Sequence, residues 1–167
     1  MCYTKYPFLI IWIVTNDGKL VIVSYDRNQA VLAMTWKETD GLYDGMVSIK
    51  GSSCDQVWLT VKRTIGGQVL TYNEYIDVEL HSIKNTDCAY YGTDVNGKTV
   101  WTDLGHLEGK TVDILADDTV MPQQVVAAAQ LTLPRKAYSV QFGLHYDSQV
   151  KDLPPVVNTA VGLSIGQ

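Results

Sequence analysis

Three things are scarce in this sequence, and each scarcity removes a class of function. There is no long apolar run: Phe8 to Val14 gives seven apolar residues and then meets Thr15-Asn16-Asp17-Gly18. A membrane span needs about 20 such residues, and no small-residue cleavage site follows as in a signal peptide. The expectation is a chain made and assembled in the cytoplasm, with no membrane span. Cysteine is sparse and unpaired. Cys2, Cys54 and Cys88 are widely spaced without a C-x-x-C, which disfavours a disulfide framework or a zinc knuckle. A basic cluster is also missing. The 13 Lys and Arg are scattered and the net charge is −5, whereas nucleic-acid readers concentrate positive charge against phosphates.

What is present favours β structure. Val, Ile and Thr are abundant, with ten Tyr and four Trp among 167 residues, all residues that suit a pleated surface. Thirteen Gly and many Asn and Asp supply turns. No amphipathic helix longer than three turns and no low-complexity block is visible. The length suits one compact domain or two small ones.

The pattern predicts an all-β fold in three parts. Residues 1–79 read as a β-meander of hairpin units resembling propeller blades, 80–150 as a small β-barrel or sandwich, and 151–167 as an extended C-terminal arm with Pro154-Pro155. In the first part, Phe8–Thr15, Lys19–Tyr25 and Ala30–Trp36 form a meander turning at Asp17-Gly18 and at Asp26-Arg27-Asn28. Leu32, Met34 and Trp36 share one face of the third strand. Gly41–Gly45 reads as a loop, and Gly66-Gly67 as the turn of a second hairpin between Gln56–Ile65 and Gln68–Val78. Val57, Leu59 and Val61 alternate with Trp58, Thr60 and Lys62, so one face is buried and the other mixed. Inward-pointing charge is confined to Lys62 and Arg63. Beyond His81 the predicted strands are Lys98–Trp101, Thr111–Ala116, Gln124–Ala128, Gln130–Leu133 and Ser139–Leu144, with turns at Asn96-Gly97, Gly109-Lys110, Asp117-Asp118 and Leu133-Pro134.

No catalytic, cofactor-binding or metal-binding residue is assigned. Gly92-Thr93-Asp94-Val95-Asn96-Gly97-Lys98-Thr99 satisfies the phosphate-loop spacing, but that motif works only where a helix starts at the lysine. Val100-Trp101-Thr102 follows instead, and Asn96-Gly97 reads as a hairpin turn. His106 and Glu108 would share a face of a strand without a third group to complete a site, and His81 and His145 stand alone. Asp113, Asp117 and Asp118 lack the ligand plan of a calcium loop and read as a solvated hairpin tip. No nucleophile motif is present, and no Cys sits near a His in a recognised pattern. Two carboxylates suffice for glycoside hydrolysis, which keeps a hydrolase open. Trp12, Trp36, Trp58 and Trp101 serve either as a sugar platform or as core and interface anchors.

A colinear series of segments resembles the tail nozzle proteins (tail tubular B or stabilisation proteins) of short-tailed bacteriophages. It comprises Trp12, Asn16-Asp17-Gly18-Lys19-Leu20, Tyr25-Asp26-Arg27-Asn28-Gln29, Trp36, Val57-Trp58-Leu59-Thr60-Val61-Lys62-Arg63 and Glu74. It continues through His106-Leu107-Glu108-Gly109-Lys110-Thr111-Val112, Leu131-Thr132-Leu133-Pro134 and Val140-Gln141-Phe142-Gly143-Leu144-His145-Tyr146. Members of that family are usually several times longer and often carry Gly where Asp118 stands. The resemblance implies a non-enzymatic virion component of the tail, assembled in the host cytoplasm. Its partners would be copies of itself in a ring, sixfold by analogy, with portal, adaptor and tail fibre proteins around it. DNA would be a passing cargo, and a mildly acidic surface suits that passage. A tail-associated cell-wall hydrolase and a glycan- or receptor-binding β module are the alternatives.

Overall fold

The computed structural model describes residues 1–5, 8–26, 31–76 and 86–149, together with the strands 156–159 and 162–165. His81, the expected turn at residues 27–28 and the expected boundary between residues 79 and 80 lie outside the described residues. All the described elements are strands apart from one 3-10 turn, so the expected all-β class holds.

The first sheet runs in chain order through β1 (Cys2–Thr4), β2 (Ile10–Val14), β3 (Leu20–Asp26) and β4 (Val31–Lys37), every pair antiparallel. Gly18 closes the β2–β3 turn with φ +77°, and its N–H donates to the Thr15 carbonyl at 3.0 Å. A Cβ at Gly18 would lie 2.7 Å from Leu42 Cδ2, so both the turn and the neighbouring strand demand glycine.

The second sheet holds β5 (Leu42–Lys50), β6 (Asp55–Ile65) and β7 (Gln68–Ile76) in that order. Gly66-Gly67 joins β6 to β7 as the two-residue turn that the sequence predicts, both residues at positive φ. Residues 42–45, expected as loop, belong to β5, and a bulge between Tyr43 and Gly45 accounts for the glycine-rich texture. The two sheets share one apolar core of Trp12, Leu20, Tyr43, Val57, Leu59 and Val61. Trp12 satisfies its buried indole N–H by donating to Thr4 Oγ1 at 3.2 Å.

The third sheet has the order β10-β9-β11-β8, from β8 (Asp87–Trp101), β9 (Thr111–Ala116), β10 (Thr119–Val125) and β11 (Leu131–Leu144). A second core fills it, centred on Trp101, Leu107, Ile114, Val140 and Phe142. Two expected turns prove to be register shifts inside long strands. Asn96-Gly97 bulges from β8, and Leu133-Pro134 bulges from β11, where Pro has no ladder hydrogen bond to lose. The expected strand Gln124–Ala128 is displaced as well: β10 ends at Val125, and Ala128-Ala129 form a turn. At the C-terminal end, Val156–Thr159 (β12) and Gly162–Ile165 (β13) pair antiparallel as a hairpin, not a plain extended arm.

Candidate functional site

The four tryptophans and the motif residues separate once they are placed. Trp12 and Trp101 are core residues, while Trp36 is exposed and Trp58 is half-buried. The phosphate-loop match lies wholly within β8, with no helix at Lys98. Gly92, Gly97 and Lys98 each have a packing reason. A Cβ on Gly92 would lie 2.9 Å from Trp101 Cζ3, Gly97 takes φ +64° beneath Tyr138, and Lys98 Nζ sits 4.3 Å from the Trp101 ring centroid.

Asp117-Asp118 form the tip of the β9–β10 hairpin as expected, both at positive φ, and Asp117 also binds the neighbouring strand. Asp117 Oδ1 accepts the N–H groups of Tyr138 at 2.8 Å and Ser139 at 2.9 Å, and Oδ2 pairs with Arg135 at 3.1 Å. These bonds, Ser139's above all, hold its carboxyl below the ordinary range. Asp113 accepts from Gln123 at 2.6 Å and meets His145 Nδ1 at 2.8 Å. His106 and Glu108 do not share a strand, because Gly105–Leu107 is the 3-10 turn. Glu108 turns away and accepts the N–H groups of Ala128 at 3.0 Å and Ala129 at 2.6 Å.

His106 instead interacts with the Cys88 backbone and, electrostatically, with Glu74 and Arg63 of a buried ionic junction between the two cores. Alternation along β6 places Arg63 in the same inward row as Val57, Leu59 and Val61, whereas Lys62 points outward to Asp44 at 2.8 Å. Only Arg63 of that pair is therefore an inward charge. Its guanidinium donates to Glu74 of β7 through Nε at 2.6 Å and Nη2 at 2.8 Å, and to the Asp40 carbonyl at 2.8 Å. Nη2 also lies 3.5 Å from Asp87 at the start of β8. Asp87 accepts a hydrogen bond from Thr39 and lies 3.7 Å from Lys37, and Lys110 reaches Asp40 at 2.6 Å. The junction thus ties the end of β4, the β4–β5 link, β6 and β7 to the third sheet.

Burial pushes the Cys88 thiol up to about 12 and the Tyr43 phenol well above its usual range. Burial also draws His106 below its usual value, with Glu74 and the Cys88 backbone opposing that shift. The sequence gives no sign that Cys88 and His106 are neighbours, and burial favours the protonated, weakly nucleophilic form of the Cys88 thiol. Among the described residues, no group of three His, Cys, Asp or Glu is arranged to hold a metal ion.

The other unusual feature is an apolar face. Register pairs Ile13 with Val21 and Trp36, Ile11 with Val23 and Met34, and Tyr25 with Leu32. These rows lie on the side of the first sheet opposite Trp12 and Leu20. On β4 the exposure is high: Leu32 72%, Met34 71% and Trp36 69%. The first sheet is therefore apolar on both faces, a pattern that belongs to sheets covered on both sides. Phe8 to Val14 carried the signal, since an unbroken apolar run cannot alternate with polar residues.

Compared with known protein families and with curated proteins, the sequence matches none.

Proposed function

We propose that the chain is a non-enzymatic structural subunit of a phage tail, part of the ring-forming nozzle through which DNA passes. It works through contacts with copies of itself and with neighbouring portal, adaptor and fibre proteins in the virion. The observation that carries this reading is the outward face of the first sheet, where Val23, Met34 and Trp36 lie among apolar neighbours with no charge between them. An apolar face of this kind is a site of association. The junction at Arg63 supports the same role, since it fixes the two cores to each other. The tail placement, the sixfold ring and DNA as cargo rest on the resemblance of the colinear segments.

Light scattering on the purified chain tests the reading. The expected result is a homo-oligomer that Val23→Lys with Met34→Lys reduces to monomers with unchanged circular dichroism. A wild-type chain that stays monomeric at high micromolar concentration overturns it. Electron microscopy of the oligomer then reads whether the ring closes and with how many copies.

A further inference from the structure

The outward face of the second sheet differs in kind from that of the first. Its central row is Val47, Trp58 and Tyr75, side by side across β5, β6 and β7. The Trp58 and Tyr75 rings have centroids 5.4 Å apart and planes inclined at 35°. The next row along is Gly45, Thr60 and Asn73. An open depression of about 450 Å³ lies beside Trp58, bordered by Val47, Ile49, Thr60 and Asn73, with Tyr75 flanking Trp58 outside it, within the size range of small-molecule sites.

The described polar groups beside the aromatics, Gln56, Thr60 and Asn73, are neutral. Trp58 Nε1 donates to Gln56 Oε1 at 3.3 Å, and Thr60 Oγ1 donates to Asn73 Oδ1 at 3.4 Å. Both bonds use the amide oxygens, so the Gln56 and Asn73 amide nitrogens are not consumed by them. Among the described residues, Lys62 at the Thr60 end of this face is paired with Asp44 at 2.8 Å. A protein-docking face such as that of Leu32, Met34 and Trp36 has no such amide ladder.

We infer that this face is a binding site for a neutral oligosaccharide. The negative faces of the two aromatic rings attract the C–H-rich faces of sugar rings. Amides and a hydroxyl beside them match a ligand that both donates and accepts hydrogen bonds, and the balanced charge selects against acidic or basic ligands. The inclination between Trp58 and Tyr75 suits two successive sugar rings that are not coplanar. The site lies on a different sheet from the proposed assembly face, so the two readings stand or fall separately.

A glycan array of neutral hexose and N-acetylhexosamine oligosaccharides, followed by calorimetric titration of the full chain, tests the inference. At least one glycan should bind saturably, and Trp58→Ala should weaken it tenfold or more. Tyr75→Ala and Asn73→Ala should weaken it severalfold, Trp58→Phe should retain part of the affinity, and Val120→Ala, exposed on the third sheet, should leave it unchanged. Circular dichroism and melting temperature identify any variant that fails to fold, and Asn73→Ala, a surface change, keeps the test open in that event. Binding to no glycan on the array overturns the proposal. So does glycan binding that survives Trp58→Ala and Asn73→Ala alike, or an apolar dye competing where no glycan does.

Discussion

Arg63 and Glu74 form a bidentate pair, at 2.6 Å and 2.8 Å, around a guanidinium side chain with 0% exposure. The planar fork of Arg matches the carboxylate geometrically, which Lys could not do. Removing Glu74 would strand a buried positive charge with only Asp87 and the Asp40 carbonyl beside it. Glu74→Ala should therefore cost about 3 kcal/mol, in the range for one broken partner of a buried pair. Replacing both partners with apolar residues, Arg63→Met with Glu74→Leu, should leave a chain closer to wild type than either single change. Urea denaturation of the three variants measures this, and additive losses in the double variant would contradict it.

The two described histidines should titrate in opposite directions from the ordinary value of about 6.5. Burial draws His106 down, whereas the hydrogen bond to the Asp113 carboxylate, with its charge, draws His145 up. For His106 the unfolded chain binds the extra proton, so its contribution is present above about pH 6.5 and lost as pH falls. For His145 the sign reverses: its contribution is present below about pH 6.5 and is lost as pH rises through the folded value. NMR titration of the imidazole protons reads both midpoints. Asp113→Asn should return the His145 midpoint toward the ordinary value without moving that of His106.

Ala128 and Ala129 both occupy the left-handed region, at φ +54° and +55°. This region costs an ordinary residue about 1–2 kcal/mol, and the Glu108 carboxylate holds the turn by accepting both N–H groups. Glycine has no such cost, so Ala128→Gly and Ala129→Gly should each stabilise the chain by about 0.5–1 kcal/mol. Glu108→Ala should destabilise it by about 1–3 kcal/mol, since two donors lose a charged acceptor. Thermal melting of the three variants checks the signs, and a lowered melting temperature in either glycine variant would rule the account out.

Local chemistry made some of this visible in the sequence and long-range pairing hid the rest. Asp17-Gly18 and Gly66-Gly67 announce their hairpins because positive φ is needed at once, between strands that are neighbours in sequence. Asn96-Gly97 and Leu133-Pro134 carry the same turn vocabulary, yet they are bulges in β8 and β11, and only the partner strand distinguishes a bulge from a turn. The row Val57, Leu59, Val61, Arg63 and Ile65 placed Arg63 inside by alternation alone. Its partners could not be read, since Asp40 and Asp87 lie 23 and 24 residues from it in the chain. The outward apolar face followed from Phe8 to Val14 and from Leu32, Met34 and Trp36, but that it stays uncovered within the chain needed the structure.

The phosphate-loop match yields the sharpest contrast between spacing and context. In a true phosphate loop, glycines let backbone N–H groups approach phosphate and the lysine reaches the ligand. Here Gly92 makes room for the Trp101 ring, and Lys98 lies over that same ring at 4.3 Å. Gly92→Ala should therefore act on the core, costing about 1–3 kcal/mol as an overpacking change. Lys98→Ala should cost about 0.5–1 kcal/mol through the lost cation–π contact, slightly more than an ordinary surface lysine. Lys98→Arg should keep most of it, because a guanidinium stacks on Trp as well. Magnesium nucleotide should leave the melting temperature of wild type and all three variants unmoved. A saturable nucleotide-dependent rise in wild type, abolished by Lys98→Ala, would mean that β8 gives way to a loop and helix when ligand binds, and that its packing is not the reason for these residues.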